Sequence, residues 1–469
     1  MQTLSSRLLW GAATAAYQVE GAADDDGRGP SIWDVFSRTP GKTANGDTGD
    51  VACDHYHRWR EDLALMRELN LQAYRFSVSW SRVLPQGRGP VNAAGLDFYD
   101  RLVDGLCAAG IVPFVTLYHW DLPAALQMEL NGWLHPDLPK LFADYAGLMF
   151  DRLGDRVPFW LTLNEPWCVV DGGYFSGGHA PGARNREWGY LAGHNLLRAH
   201  AYAVARYRSA PQPGGAISFA LNMACSYPAS STEADRAAAE RAMVGMGGWF
   251  GDPTYYGDYP AVMRARLGPL LPEFTPEDST LLKRSTDYLA LNYYLSEVVR
   301  DAPGLGSLDH EEVHHSDHAR TAMNWPIVPD GLRGLLHWLG ERYPNLPLYI
   351  TENGACFDDH PDENEFVEDA HRIAYLRDHI AAVQTAVAEG LDVRGYFVWS
   401  LLDNFEWAMG YSKRLGLVRC DYATQRRTVK ASGRWYARWI ATGELDSPIR
   451  PAATNVGKPR TGRASVRRV

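Results

Sequence analysis

The stretch FWLTLNEPW, Phe159–Trp167, decides how this chain reads. Five apolar or β-branched residues describe a strand covered on both faces. The run then meets an amide, Asn164, and a carboxylate, Glu165, and Pro166 forbids further ladder pairing. A strand that delivers a carboxylate at its C-terminal end and stops there is the pattern expected where strand ends open onto a cleft.

Seven more runs of the same kind flank it: Leu8–Gln18, Ala73–Trp80, Ile111–Trp120, Ala216–Asn222, Asp287–Tyr294, Leu346–Asn353 and Val393–Asn404. Between them lie stretches with helical periodicity. In residues 95–110, Leu96, Tyr99, Val103 and Leu106 share one face and Gly110 closes the helix. Residues 135–154 and 369–390 repeat the pattern. Eight strand–helix alternations predict a single α/β domain, a (β/α)8 TIM barrel with long βα loops, over residues 1–452. A doubly wound open sheet is the rival, but no glycine-rich phosphate fingerprint follows the first strand. Residues 453–469 are basic and polar without periodicity, and read as a weakly ordered tail.

Composition narrows the function. The chain has 469 residues, 46% of them hydrophobic, and a formal net charge of −10, which argues against nucleic acid or an anionic membrane as partner. Sixteen Trp and 24 Tyr hint at a cleft that stacks on ligand faces. The six cysteines form no CxxC pair, so neither zinc nor a disulfide scaffold is indicated. The N-terminus lacks a signal peptide's basic start and apolar core, and no window is long enough to span a membrane. The expectation is a cytoplasmic protein without metal or cofactor. The His- and acid-rich segment 309–318 fits no standard metal spacing and reads as a solvated rim loop.

Polar residues gather at the ends of the eight runs: Gln18, Arg75, His119, Asn164, Glu165, Asn292, Tyr294, Glu352, Asn353, Trp399 and Glu406. In a barrel these ends converge on one face. An isolated glutamate there is commonly a cap or ion-pair residue. Two, Glu165 and Glu352, at equivalent ends of distant strands and each beside an Asn, favour the carboxylate pair of glycoside hydrolysis.

At this point the chain resembles family 1 glycoside hydrolases, the β-glucosidase family. TLNEP (162–166) and YITENGA (349–355) are similar to that family's acid/base and nucleophile signatures. WGAATAAYQVEGA (10–22), YRFSVSWSRVLP (74–85), VTLYHWDLP (115–123), LNYY (291–294), VWSLLDNFEWAMGYSKRLGLV (398–418) and DYATQRRTVKASGRWY (421–436) follow in the family's order. The resemblance implies a retaining (β/α)8 enzyme without cofactor, with Glu165 as acid/base and Glu352 as nucleophile. It implies sugar-binding roles for Gln18, His119, Asn164, Glu406 and Trp407, a floor at Trp399, and support of the nucleophile by Arg75, Asn292 and Tyr294. Trp120 and Trp325 match rim aromatics of the aglycone side. Relatives often carry Glu and an aromatic where this chain has Met409 and Leu415. That leaves a β-glucosidase, a β-galactosidase or β-fucosidase, and a transglycosylase open on the same site, with a non-catalytic sugar-binding barrel as the rival from another class. Glu406 would repel a phosphorylated sugar. An Arg and a Tyr beside Glu352 are expected to lower its pKa, while Glu165 should sit protonated in a drier or more negative setting. The expected partner is a small-molecule β-glycoside or oligosaccharide; a homo-oligomer is compatible with the sequence.

Overall fold

The computed structural model describes residues 8–209, 214–306, 308–313 and 318–445. Eight strands form a closed parallel ring: β1 (Leu9–Ala13), β2 (Ala73–Ser77), β3 (Val112–Tyr118), β4 (Phe159–Asn164), β5 (Ala216–Pro228), β6 (Leu289–Asp301), β8 (Leu348–Asn353) and β9 (Val393–Trp399). Neighbours pair in chain order, and β1 pairs β9 while β5 pairs β6, so the barrel has no free edge. A short β7 (His310–Glu312) adds antiparallel to the outer part of β6. The (β/α)8 expectation holds. The three helices read from periodicity run Ala93–Ala108, Leu138–Leu153 and Ala370–Ala388.

Alternation along each strand divides the core in two. Outward residues such as Tyr74, Val115 and Trp160 pack under the helices. Inward residues fill the ring with their own cluster, built at one end around Phe114, Phe159, Tyr288, Tyr349 and Phe397. Phe114 and Phe159 stack at 4.1 Å and Phe114 meets Phe397 edge-on at 4.7 Å. The barrel is therefore a packed core and not a pore.

Three sequence expectations change in detail. The run Leu8–Gln18 is not one strand: it stops at Ala13, and Gln18 rides a one-turn helix, Ala16–Val19. β5 and β6 run six and seven residues past the ends read from sequence, to Pro228 and Asp301. Part of the His- and acid-rich segment is strand β7; its residues 314–317 lie outside the described residues, as does the tail 453–469. No helix of the described residues is long and apolar enough to cross a membrane, and among them no three His, Cys, Asp or Glu cluster as a metal site would require.

Candidate active site

The opening motif resolves into a strand-to-helix junction. β4 ends at Asn164; Glu165 takes φ 47°, ψ 64° as the residue before a short helix, Pro166–Val170. Pro166 occupies the first helical turn, where its missing N–H costs nothing. The left-handed backbone at a glutamate is strained, by about 1–2 kcal/mol, and it turns the carboxylate into the mouth of the ring. Two other cleft residues, Trp120 at φ 78° and Trp407 at φ 48°, share this conformation, which fits the tendency of strain to collect at functional sites.

Register shifts do the same work on the other strands. Of the ring's shifts, three fall at the site: at Leu161/Asn164 on β4–β5, at Leu291/Asn292 on β6–β8 and at Ile350/Asn353 on β8–β9. An extra residue in one strand re-aims the side chains that follow. Thr351 and Glu352, adjacent in sequence, consequently both join the same network.

That network is continuous. Arg75 Nη1 donates to Glu352 Oε1 at 2.6 Å and to the Thr351 carbonyl at 3.1 Å; its Nη2 donates to Asn164 Oδ1 at 2.6 Å and its Nε to Thr116 Oγ1 at 3.2 Å. The Tyr294 hydroxyl donates to Glu352 Oε2 at 2.6 Å. Asn292 Nδ2 donates to Glu165 Oε1 at 2.8 Å and to Asn164 Oδ1 at 3.0 Å, and the Thr351 hydroxyl fixes the Asn292 amide from behind at 2.7 Å. Asn164 Oδ1 thus accepts from both Arg75, which holds Glu352, and Asn292, which holds Glu165. Asn164 Nδ2 meets His119 Nε2 at 2.9 Å.

Burial dominates the electrostatics. It pushes the Glu165 carboxyl up to about 8, with the nearby Glu352 charge second. It also raises Glu352, where the sequence suggested a fall: Arg75 and the Tyr294 hydroxyl limit the rise without reversing it. The asymmetry between the two survives, because Arg75 and Tyr294 hydrogen-bond Glu352 and not Glu165, which feels Arg75 only through its charge. Glu406 is pushed up to about 8 by burial and by both other glutamates. His119 is held neutral by burial and the Arg75 charge.

The two carboxylates, Glu406 and the aromatics Trp120, Trp399 and Trp407 line a cavity of about 660 Å³, a size suited to a small-molecule site. Trp120 and Trp407 lie 4.6 Å apart, and Trp399 stacks on His119 at 5.7 Å.

Residues 1–445 match the sequence profile of Glycosyl hydrolase family 1. The chain belongs to that family. It is 47% identical over 443 residues to beta-glucosidase A of Thermotoga maritima, which covers 93% of this chain and 98% of that one. It is 44% identical to beta-glucosidase 1B of Phanerodontia chrysosporium, over 96% and 88% of the two chains. The solved family 1 β-glucosidase from T. maritima superposes with a TM-score of 0.90 over 94% of this chain and 98% of that one. The T. maritima enzyme in complex with glucoimidazole gives 0.89 over 94% and 99%, at 47% identity.

Most site residues expected of a family 1 chain meet at this cavity. His119, Trp120, Glu165, Asn292, Tyr294, Trp325, Glu352, Trp399, Glu406 and Trp407 line it. Arg75 and Asn164 sit just behind, Arg75 reaching it through Glu352 and Asn164 through His119 and Asn292. Gln18 is held by Asn404 Oδ1 at 3.1 Å and the Phe405 carbonyl at 2.8 Å, beside Glu406. Gln18 Oε1, Glu406 Oε2 and His119 Nδ1 are buried without protein partners. Asn353 departs from the expected cluster: its amide donates to the Tyr293 carbonyl and the Tyr375 hydroxyl, away from the cleft. Met409 and Leu415, the two family departures, both line the cavity.

Among the lining residues that escaped the sequence reading, three lie close to the carboxylates or their tryptophans. His179, kept neutral by burial at about 4, packs against Trp33 and Trp120; its setting in the glycine-rich SGGHAPG loop was the available signal. Cys168 and Trp167 follow Glu165 on the turn that Pro166 starts, and their place in NEPWC could have marked them.

Proposed function

We propose that this family 1 enzyme is a retaining β-glucosidase that removes terminal non-reducing β-D-glucosyl residues by double displacement. The single observation carrying this reading is the buried network that holds both carboxylates, Glu352 through Arg75 and Glu165 through Asn292, with Asn164 Oδ1 accepting from both Arg75 and Asn292. Carboxylates tied into one network, with the Glu352 charge acting on Glu165, favour the spacing of about 5–5.5 Å that direct attack requires over the roughly 6.5–9.5 Å that admits an interposed water.

Glu165, protonated in the free enzyme, gives its proton to the departing glycosidic oxygen as the Glu352 carboxylate bonds to the anomeric carbon. Esterification removes the Glu352 charge, which lowers the Glu165 pKa and makes it a base. Glu165 then takes a proton from water as that water attacks the anomeric carbon and breaks the ester. Two inversions give retention. The unsatisfied Gln18 Oε1, Glu406 Oε2 and His119 Nδ1 would bind sugar hydroxyls, and Trp399 would form the floor beneath the ring. A matched sugar satisfies buried groups that a mismatched one leaves unpaired.

Galactosides, fucosides and acceptor sugars in place of water remain second readings, favoured by Met409 and Leu415 where relatives carry Glu and an aromatic. One catalytic unit over residues 1–452 and a cytoplasmic location belong to the same proposal; six free thiols support the location. The test is release of p-nitrophenol from p-nitrophenyl β-glucoside with analysis of the product anomer. Wild-type turnover to the β-anomer, lost in Glu352→Gly and restored by azide as the inverted glycosyl azide, is the expected result. Turnover no greater than that of Glu352→Gly would leave only a sugar-binding barrel.

A further inference from the structure

The cavity continues outward past the carboxylates into a part the two displacements do not use. β5 and β6 are 13 residues each, against five to seven for the other ring strands. They stay paired to Pro228↔Val299, beyond the ring, with β7 on the outer edge of β6. This extension forms one wall of the outer cavity.

The wall changes character along its length. Next to the catalytic centre it is apolar: Met223 on β5 and Leu295 on β6 line it, with Met246, Met323 and Trp325 completing a belt. Thioethers pack well against aromatic rings and are poor hydrogen-bonding partners. Farther out the lining turns acidic, with Glu297 on β6 and Glu312 on β7. The Ser226 hydroxyl donates to Glu297 Oε1 at 2.6 Å, which fixes that carboxylate's place. The lining cation is Arg320, which donates to the Asn324 carbonyl at 2.7 Å. Glu297 and Glu312 outnumber it in this outer part. From Tyr294, which holds Glu352, to Glu297 is three residues, about 10 Å along a strand.

An oligosaccharide presents hydroxyls at every step; Asn222 Oδ1, buried without a partner beside Met223, can take one of them, but the methionines and Leu295 can take none. We propose that the outer cavity is a subsite for aglycones with an apolar or aromatic body and a terminal ammonium group, and that Glu297 and Glu312 select that charge. The inference rests on the β-glucosidase reading and specifies its substrate class.

Three glucosides with nearly equal leaving-group basicity separate the effects: 4-(2-aminoethyl)phenyl, 4-propylphenyl and 4-(2-carboxyethyl)phenyl β-glucoside. Within each enzyme variant, kcat/KM for the charged substrates is divided by that for the neutral one. The wild type should favour the cation over the anion by about tenfold at low salt, and the ratio should shrink as salt rises, as expected for partly exposed charges. Glu297→Gln and Glu312→Gln should each lower the ratio about threefold. If Glu297→Gln fails to fold, the exposed Glu312→Gln carries the comparison. A wild-type ratio near one, or a ratio unchanged when both glutamates are replaced, overturns the subsite, the second outcome assigning selectivity to the inner carboxylates. Either leaves the β-glucosidase reading intact. Failure to cleave the neutral glucoside and p-nitrophenyl β-glucoside alike would remove that reading, and the subsite with it.

Discussion

The two ends of the barrel interior are made of the same strands and follow opposite rules. Where the strands enter, rings fill the space: Phe159 contacts Phe114, Tyr288 and Tyr349 at centroid distances of 4.1, 6.0 and 5.4 Å. Where they leave, Arg75, Asn164, Asn292 and Glu352 are as thoroughly buried, yet are held by short directional bonds. β1–β9 and β2–β3 keep their pairing in step throughout. Three of the shifts on the other pairs fall at or just before Asn164, Asn292 and Glu352. Packing alone is content with a regular ladder; aiming several polar groups at one point is not. One end supplies cohesion and the other spends some of it on geometry.

Replacements at each end should separate these duties. Glu352→Gly should lower kcat on p-nitrophenyl β-glucoside by about 10⁵-fold, the scale for loss of a nucleophile, and leave the melting temperature within a few degrees of wild type. A large loss of stability would break the division. Glu165→Gln should cost about 10³-fold on a substrate with a poor leaving group, and much less on an aryl glucoside whose phenolate departs unaided. Stopped assays on both substrates check the contrast.

At the other end, Phe159→Ala should destabilise the fold by about 3–5 kcal/mol, since it opens a cavity in an aromatic cluster. The protein that remains folded should keep kcat within about twofold, read from active-site titration alongside chemical denaturation. A loss of kcat matching the Glu165 variant would mean that the two ends are coupled.

pH gives the gentlest probe. The Glu165 proton is held up to about 8 in the free enzyme, so kcat/KM should be sustained below that pH and fall as pH rises through it. Glu165→Gln should lose this basic limb with an activated substrate. The same raised pKa means the folded state holds a proton the unfolded state releases at lower pH. Stability from this group is thus lost as pH climbs from the ordinary carboxyl range toward 8, and thermal melts of Glu165→Gln should decline less over that window than those of wild type.

Much of this was legible in the chain. The carboxylate positions could be read because each apolar run ends locally in a Glu beside an Asn, with Pro166 marking the stop after Glu165. The helix carrying Gln18 could not, because the alanine-rich run Leu8–Gln18 has no period to separate strand from turn. The outer reaches of β5 and β6 were missed for another reason: each is stabilised by the other across a long sequence separation, which local pattern does not record. His179 reaches Trp120 only through the path of its loop. The direction of the Glu352 shift depends on how completely the closed ring excludes water, and a list of neighbours in sequence cannot supply that.

Arg75 bonds to side chains or carbonyls of β3, β4 and β8 while standing on β2. Half the staves of the barrel must therefore be in final position before this one guanidinium is satisfied. Recovered turnover during refolding should then lag behind recovered helix signal, making the enzyme a clock for its own last step of assembly.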